Sequence, residues 1–228
     1  MNAPAIVLIP GTLCDARVFD AVVARLPGRQ VQVATLGEHE RVEAAATAIL
    51  AETTPRFVVA GFSLGGFVAL EMLQREPTRI AGVVLIAGNA HPDAPANASK
   101  RRADVAASRE QGMHAYVRAA ASAWGIADRT DVIERVAAMA CAAGPDAHAR
   151  HAEMNIARPD LREVARGATV PIVVLAGDDD RLCPPERYAE AASGATGRLV
   201  RIAGAGHYLP LEAPAEVAAA IAALEDRP

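Results

Sequence analysis

The sequence is short of cysteine and carries no excess of positive charge, and both shortages exclude classes of protein. Its three cysteines, Cys14, Cys141 and Cys183, are widely spaced without a Cys-x-x-Cys pair, so we predict neither a disulfide framework nor a structural zinc site. The formal net charge of -4 offers no basic field to a polyanion. Nucleic acid is therefore not an expected partner.

Long apolar runs are also absent. No uninterrupted apolar stretch reaches the length of about 20 residues that a membrane-spanning helix needs. The run before Pro10 is too short for the apolar region of a signal peptide, and no basic residue precedes it. We therefore expect a cytoplasmic, soluble protein without a membrane partner, and the sequence leaves its oligomeric state open.

Short apolar runs instead alternate with longer amphipathic, alanine-rich segments. Continuous apolar runs indicate strands that are buried on both faces, as in a parallel sheet covered by helices. Strands are predicted at residues 5–9, 31–35, 57–61, 80–88, 170–177 and 198–204. Helices are predicted at 14–26, 41–54, 64–76, 184–193 and 213–225. The pattern predicts an α/β fold with a mostly parallel sheet of six strands flanked by helices.

One interval breaks this alternation. Residues 91–169 contain no run typical of a strand but several helical ones, at 99–111, 113–123, 130–142 and 146–156. A proline-rich stretch, HPDAPANAS, opens the interval as a connector would. We predict a core formed by residues 1–90 and 170–228, and a helical cap formed by residues 91–169.

The strongest chemical signal is the segment FVVAGFSLGG. It places Ser63 in a Gly-x-Ser-x-Gly pattern directly between a predicted strand and a predicted helix, which is the context of a nucleophile elbow. A sharp turn there exposes the serine Oγ at a helix amino terminus, where the helix dipole favours negative charge. The alternative is a glycine-rich turn that only packs a helix on a strand.

A nucleophilic serine needs a base and an orienting carboxylate, and both have candidates in the expected chain order. Asp180 closes an Asp178-Asp179-Asp180 run after one predicted strand, and His207 follows the last strand in GAGHYLP. All of these loops lie at the carboxyl ends of strands, where sites form in open α/β sheets. The sequence therefore predicts a Ser63, Asp180 and His207 triad.

Other histidines carry weaker signals. His148 and His151 are three apart on a predicted helix and could form a metal pair, but no third ligand lies near them, so we interpret them as part of a solvated helix face. His91 could line the entrance to a cleft, but a structural or solvent-facing side chain is the simpler interpretation. No metal or cofactor is predicted.

With these motifs the chain resembles the α/β-hydrolase superfamily, and within it small capped esterases and lactonases such as 3-oxoadipate enol-lactonase and pimeloyl-carrier-protein methyl esterase. The resemblance spans the chain and is carried by LIPGTLCDARVF, GFSLGG, GDDDRLCPP and GAGHYLPLEAP. It implies that the acid is the third residue after Gly177, which is Asp180, with Asp178 and Asp179 as alternatives. It also implies that the amides of Thr12 and Leu64 form an oxyanion hole, with Leu13 close by.

The sequence departs from the family pattern in two places. Pro10 replaces the histidine that usually precedes the oxyanion glycine, so support for that loop must come from elsewhere. We expect the usual amino-terminal hairpin of the family to be missing, because the first predicted strand corresponds to the third family strand. The strand VQVAT is then expected at a sheet edge.

We predict a serine hydrolase of the carboxylic-ester class, which cleaves a small ester, lactone or thioester through an acyl-enzyme. The alternatives are a carbon-carbon bond hydrolase or lyase, a perhydrolase, and a protein of this fold that binds ligands without catalysis. The expected partner is a small ester-type substrate. The large apolar cap residues are candidates for its pocket or for cap packing: Met113, Tyr116, Trp124, Met139 and Met154.

The sequence Lys100-Arg101-Arg102 on a predicted cap helix permits two interpretations. It could receive a carboxylate or an acidic acyl carrier protein, as the carrier-protein esterases suggest. Three consecutive charges on a helix point in different directions, however, so a solvated face is the simpler interpretation.

Overall fold

The predicted apolar runs form one parallel sheet in the computed structural model of the chain, which describes residues 4–225. The strands are β1 (Ala5–Ile9), β2 (Val31–Val33), β3 (Phe57–Phe62), β4 (Ile80–Ile86), β5 (Ile172–Gly177) and β6 (Gly197–Ile202). Their order across the sheet is β2-β1-β3-β4-β5-β6, and every neighbouring pair is parallel. The predicted fold class is confirmed.

Helices connect the strands and cover both faces of the sheet. They are α1 (Asp20–Val23), α2 (Val42–Glu52), α3 (Leu64–Arg75), α4 (Asn97–Gln111), α5 (Met113–Ala120), α6 (Thr130–Ile156), α7 (Arg162–Arg166), α8 (Pro185–Ala191), α9 (Leu209–Glu212) and α10 (Pro214–Glu225). Two 3-10 helices lie at Ala16–Phe19 and Pro77–Arg79. The predicted helix at 14–26 is thus two short turns, and the short helices α7 and α9 were not predicted.

Each face of the sheet has its own apolar core. On β1, Ile6 and Leu8 pack in a cluster with α1 and α10, whereas Val7 and Ile9 pack in a second cluster with α2 and α3. All four side chains are fully buried, and burial of each contributes about 1.5–3 kcal/mol. This two-sided burial explains why the strands are continuously apolar in sequence.

Between β4 and β5 the chain forms only helices within residues 91–169. Helices α4, α5 and α6 pack on one another, and α6 bends at Gly144, whose φ of 79° and ψ of 172° leave the helical region. The bend lies between the two helices that the sequence predicts there. We refer to residues 91–169 as the helical insertion.

Strand β2 lies at one edge of the sheet. Within the described residues it pairs only with β1, as expected for VQVAT. Among the helices of residues 4–225, none combines the length and the apolar character that crossing a membrane requires.

Candidate active site

The carboxyl ends of β3, β5 and β6 bring three polar side chains together. The Oγ atom of Ser63 lies 2.9 Å from Nε2 of His207, and Nδ1 of the same ring lies 2.7 Å from Oδ2 of Asp180. Both His207 and Asp180 are buried. The three residues that the sequence proposes as a triad therefore form one continuous hydrogen-bonded chain.

Ser63 stands in a strained turn between β3 and α3. Its φ of 50° and ψ of -112° place a residue with a side chain in the left-handed half of φ space, at a cost of about 1–3 kcal/mol. The turn is held by a 2.8 Å hydrogen bond from Ser63 N to Ile86 O on β4. A Cβ on Gly61 would stand 2.2 Å from Gly65 O, and one on Gly65 would stand 2.3 Å from Ile9 O. Both glycines are therefore required by close backbone contacts.

Asp180 accepts hydrogen bonds on both carboxylate oxygens. Oδ1 accepts from the amides of Leu182 and Cys183 at 2.7 and 3.3 Å, and Oδ2 accepts from His207 and from the hydroxyl of Tyr188. Burial alone would raise the pKa of this carboxyl, but the positive charge of His207 and these donors outweigh it, so the pKa lies below its ordinary value. Asp180 is therefore held as a carboxylate facing the imidazole.

Tyr188 on α8 is a contributor that the sequence did not reveal. Its side chain is buried, and burial together with the negative charge of Asp180 raises the pKa of its hydroxyl. The hydroxyl consequently stays protonated and donates to the same Oδ2 atom that faces His207. This second donor fixes the orientation of the carboxylate.

Glu212 on α9 supports the loop on both sides of His207. Its Oε2 accepts from Gly206 N at 2.9 Å and its Oε1 accepts from Tyr208 N at 2.8 Å. Its side chain is buried, with Arg129 3.5 Å away. Because two backbone amides converge on one carboxylate, Glu212 sets the position from which His207 reaches Ser63. The sequence shows only a glutamate in the GHYLPLE segment, and its spacing from His207 does not indicate this role.

The helical insertion contacts this histidine loop directly. The amide of His207 donates to the carbonyl of Trp124 at 3.1 Å. Gly125 lies against the acid loop so closely that a Cβ there would stand 2.1 Å from Asp179 O. The insertion is therefore joined to the loops of the site through backbone atoms.

The alternative acids lie away from the histidine. Asp178 is exposed and forms a 2.7 Å ion pair with Arg201. Asp179 is also exposed and contributes its amide, which donates to Ala205 O at 2.9 Å. Only Asp180, among the three consecutive aspartates, faces His207.

The backbone amides expected at an oxyanion hole divide into two kinds. Within residues 4–225, the amides of Thr12 and Leu64 have no hydrogen-bond partner, and both residues line the cavity that contains Ser63. The amide of Leu13 instead donates to Nδ1 of His151 at 3.1 Å. Thr12 and Leu64 can therefore offer donors to a bound oxyanion, whereas Leu13 cannot while this hydrogen bond is present.

The interpretation of His148 and His151 as a solvated face is wrong, because both side chains are buried. Nδ1 of His151 accepts from Leu13 N, and Nδ1 of His148 lies 2.9 Å from Ser108 Oγ on α4. Asn155, one turn after His151, donates from Nδ2 to Thr12 Oγ1 at 3.1 Å. Helix α6 therefore forms two side-chain hydrogen bonds with the segment that follows Pro10.

The burial of these two histidines predicts a loss of stability in mild acid. Burial lowers the pKa of both His148 and His151 from 6.5 to about 4. As the pH falls from 6.5 towards 4, the unfolded chain binds protons that the folded chain does not. The free energy of unfolding should therefore decrease by about 1.4 kcal/mol per pH unit for each histidine. Denaturant titrations between these pH values measure the slope.

Substitution isolates the contribution of His151. His151→Asn keeps an acceptor for Leu13 N but does not titrate. The slope of the free energy of unfolding against pH should therefore decrease by about 1.4 kcal/mol per pH unit. Equal slopes for His151→Asn and the unmodified chain would contradict the prediction.

Ser63, Thr12 and Leu64 face a cavity of about 610 Å³. Of the proposed pocket residues, Tyr116 and Trp124 line this cavity. Met113, Met139 and Met154 do not, because the helices of the insertion turn them into the apolar cores. His91 is not in the lining either, and its Nε2 lies 2.8 Å from Glu190 Oε2.

Comparison with known proteins agrees with this geometry. Residues 6–220 match the Alpha/beta hydrolase family. The chain belongs to the alpha/beta hydrolase family. The superfamily resemblance read from the sequence motifs is thereby confirmed, and membership of this hydrolase family supports a hydrolytic function.

Proteins similar to this alpha/beta hydrolase include two esterases, and a lactonase has the same fold. A pimeloyl-[acyl-carrier protein] methyl ester esterase of Aromatoleum aromaticum is 37% identical over 94 residues, which cover 38% of this chain and 38% of that protein. A thermophilic esterase of Thermogutta terrifontis has a TM-score of 0.84 at 25% identity, over 97% of this chain and 89% of that one. The enol-lactonase of Burkholderia xenovorans LB400 has the same fold, with a TM-score of 0.84 at 23% identity, over 98% of this chain and 92% of that one.

Proposed function

We propose that this alpha/beta hydrolase is a serine hydrolase that cleaves a small carboxylic ester, lactone or thioester through an acyl-enzyme. The observation that carries the proposal is the continuous hydrogen-bonded chain from Ser63 Oγ through the His207 ring to Asp180 Oδ2. A serine hydroxyl is a poor nucleophile at neutral pH unless a neighbouring base accepts its proton. His207 Nε2 lies within hydrogen-bond distance of the Ser63 hydroxyl, and Asp180 lies where it can stabilise the imidazolium that results.

In the acylation step, Ser63 Oγ attacks the carbonyl carbon of the substrate while its proton passes to His207 Nε2. The carbonyl electrons move onto the oxygen, and a tetrahedral oxyanion forms. The unpaired amides of Thr12 and Leu64 donate to that oxyanion. Backbone donors fixed before the reaction suit this role, and loss of one such donor in other hydrolases costs about 10²- to 10³-fold in kcat.

Collapse of the intermediate breaks the bond to the leaving group, which takes the proton from His207. In the second half, His207 accepts a proton from water, which attacks the acyl-Ser63 carbonyl and releases the acid. The hydrogen bond from Nδ1 to Asp180 keeps Nε2 free to accept and return protons in both halves. No step requires a cofactor.

We further propose that the helical insertion is a cap that sets substrate size. In support, its Trp124 and Tyr116 line the cavity beside Ser63, and its α6 supports the Thr12 loop. A cavity of about 610 Å³ suits a metabolite rather than a long-chain lipid. Exclusion of water by such a cover strengthens the electrostatic interactions at the oxyanion.

The cap proposal predicts a change of acyl preference in Trp124→Ala. Removing the indole enlarges the cavity, while the backbone carbonyl that holds His207 remains. The ratio of kcat/KM between long-chain and short-chain p-nitrophenyl esters should rise by roughly 10- to 200-fold. Profiles over a series of acyl chain lengths measure this ratio.

Met139→Ala is the matched control, because Met139 belongs to the same insertion but is buried in the core. It should reduce the free energy of unfolding by about 2–5 kcal/mol and leave the acyl profile unchanged. We expect the same of Met113→Ala. A Trp124→Ala profile that superimposes on that of the unmodified enzyme would exclude Trp124 as a pocket wall.

The proposed chemistry is tested by a fluorophosphonate probe and a substrate panel. The probe should attach to Ser63, as located by mass spectrometry of the labelled peptide. The panel should contain esters, lactones, thioesters and diketones, because the alternative carbon-carbon cleavage would use the same triad. The relative from Aromatoleum aromaticum is named for a methyl ester on a pimeloyl-acyl carrier protein, so a carrier-bound methyl ester belongs in the panel. A chain that neither labels at Ser63 nor hydrolyses any ester would refute the proposal.

A further inference from the structure

The cavity beside Ser63 has more positive than negative charge in its walls. Apart from the triad, four cationic side chains and two carboxylates line it. The cations are Lys100, Arg101, Arg158 and Arg187, and the carboxylates are Asp93 and Asp104. The pairing of these groups determines which of them remains available to a ligand.

Three of the four cations are already bound within the protein. Lys100 lies 2.6 Å from Asp104. Arg101 and Arg158 share the single buried carboxylate of Asp93, at 2.5 and 3.4 Å. Each cation of the Lys100-Arg101-Arg102 sequence therefore has a carboxylate beside it, since Arg102 also pairs with Glu153 outside the cavity.

Arg158 is a structural member of this network. Its Nε donates to His91 O, its Nη1 donates to Asn155 Oδ1, and its guanidinium stacks on the Phe67 ring at 4.5 Å. Its donors are directed at protein groups. One negative charge on Asp93 is thus shared by two guanidinium groups, which leaves an excess of positive charge in this wall.

Arg187 is the remaining cation. It lies in the first turn of α8, is half-buried and lines the cavity. Within residues 4–225, its guanidinium has neither an ion-pair partner nor a hydrogen-bond partner. Its positive charge reaches the rest of the wall, because together with burial and Arg101 it contributes to lowering the pKa of Arg158 to about 10.

We propose that Arg187 receives a carboxylate of the substrate, so that the scissile ester belongs to a molecule with a second, ionised carboxyl group. A guanidinium presents paired donors that match a carboxylate in a bidentate geometry. A half-buried cation beside an excess of positive charge is stabilised more strongly by a bound anion than by an uncharged chain end. This inference rests on the proposed hydrolysis at Ser63.

The test compares two series of p-nitrophenyl esters of increasing acyl length. In one series the acyl chain ends in a carboxylate, and in the other it ends in the isosteric carboxamide. At the optimal length, Arg187→Gln should lower kcat/KM for the carboxylate ester by roughly 10- to 100-fold. The carboxamide ester should change by less than about 3-fold, and Arg187→Lys should retain part of the preference.

Arg181→Gln is the matched control. It removes the same charge from the neighbouring loop, but Arg181 is exposed and does not line the cavity. An equal loss of carboxylate preference in Arg181→Gln would mean that only the general field acts, and it would overturn the proposal. Equal losses on both ester series in Arg187→Gln would overturn it as well, because they would indicate a structural role.

Labelling of Ser63 separates this inference from the proposed function. If the fluorophosphonate probe labels Ser63 and neutral esters are cleaved, but no carboxylate preference depends on Arg187, only the carboxylate site is refuted. If Ser63 is not labelled, the proposed function is refuted, and the carboxylate site that rests on it is refuted as well. Labelling of Arg187→Gln at the unmodified rate, combined with loss of the preference, supports both.

Discussion

Ser63→Ala should reduce hydrolysis of short p-nitrophenyl esters by about 10⁴-fold or more, as found for other serine triads. The hydroxyl is the attacking atom in the proposed mechanism, and neither His207 nor water at the same position can replace it. Folding should be preserved, since the side chain is small and its backbone turn is held by Ser63 N and the two neighbouring glycines. Initial rates and thermal unfolding of the same preparation measure both expectations.

Ser122→Ala provides the control for this substitution. Ser122 is exposed in the helical insertion, so its replacement should leave activity and probe labelling unchanged. Retention of more than about a tenth of the activity by Ser63→Ala would show that another group is the nucleophile.

Asp180→Asn should reduce kcat/KM by roughly 10³- to 10⁴-fold. Both oxygens of Asp180 accept hydrogen bonds, one from two backbone amides and the other from His207 and Tyr188. An asparagine has one oxygen and one NH2 group at these positions. In either orientation of its side chain, the NH2 group would face hydrogen-bond donors. The imidazolium would also lose its compensating charge.

The matched controls are Asp178→Asn and Asp179→Asn, which carry the same change on exposed neighbours and should alter activity by less than about 3-fold. Because Asp180→Asn also disturbs buried hydrogen bonds, rates should be expressed per folded molecule, as determined by denaturant titration. A profile in which Asp179 is the sensitive position would transfer the acid role to that residue.

The sequence predicts those parts of the molecule that depend on local pattern. The six strands follow from continuous apolar runs, because each strand is buried on both faces. The position of Ser63 follows from two glycines and a strand-to-helix transition, since the close contacts of Gly61 and Gly65 tolerate no side chain. Chain order alone associates Asp180 and His207 with that turn.

The faces of the helical insertion could not be predicted in the same way. Alanine occurs on all sides of α6, so the periodicity does not distinguish the side that packs on the core from the side that meets solvent. His148 and His151 were therefore assigned to the wrong face. The methionines Met113, Met139 and Met154 were candidates for the pocket by size alone, and their direction depends on how the helices pack.

Residues that act through tertiary contacts also lack a sequence signal. Tyr188 lies eight residues after Asp180 and Glu212 lies five after His207, and neither spacing indicates a hydrogen bond back to the loop. Arg187 differs from the other cations of the cavity only because those cations have carboxylate partners, and the sequence does not show these ion pairs. Such roles depend on which groups the fold leaves unsatisfied, and this is a property of the assembled structure.

The hydrogen bond from the His207 amide to the carbonyl of Trp124 has a consequence for motion. If the insertion lifted away at this end, the bond would break and the segment that carries the base would lose one of its fixed points. A conformation in which the cavity is wider at this end is therefore one in which His207 is held less firmly beside Ser63. Amide hydrogen exchange at His207 would report the frequency of such openings, and a product that left by this route would require the base to be repositioned before each new cycle.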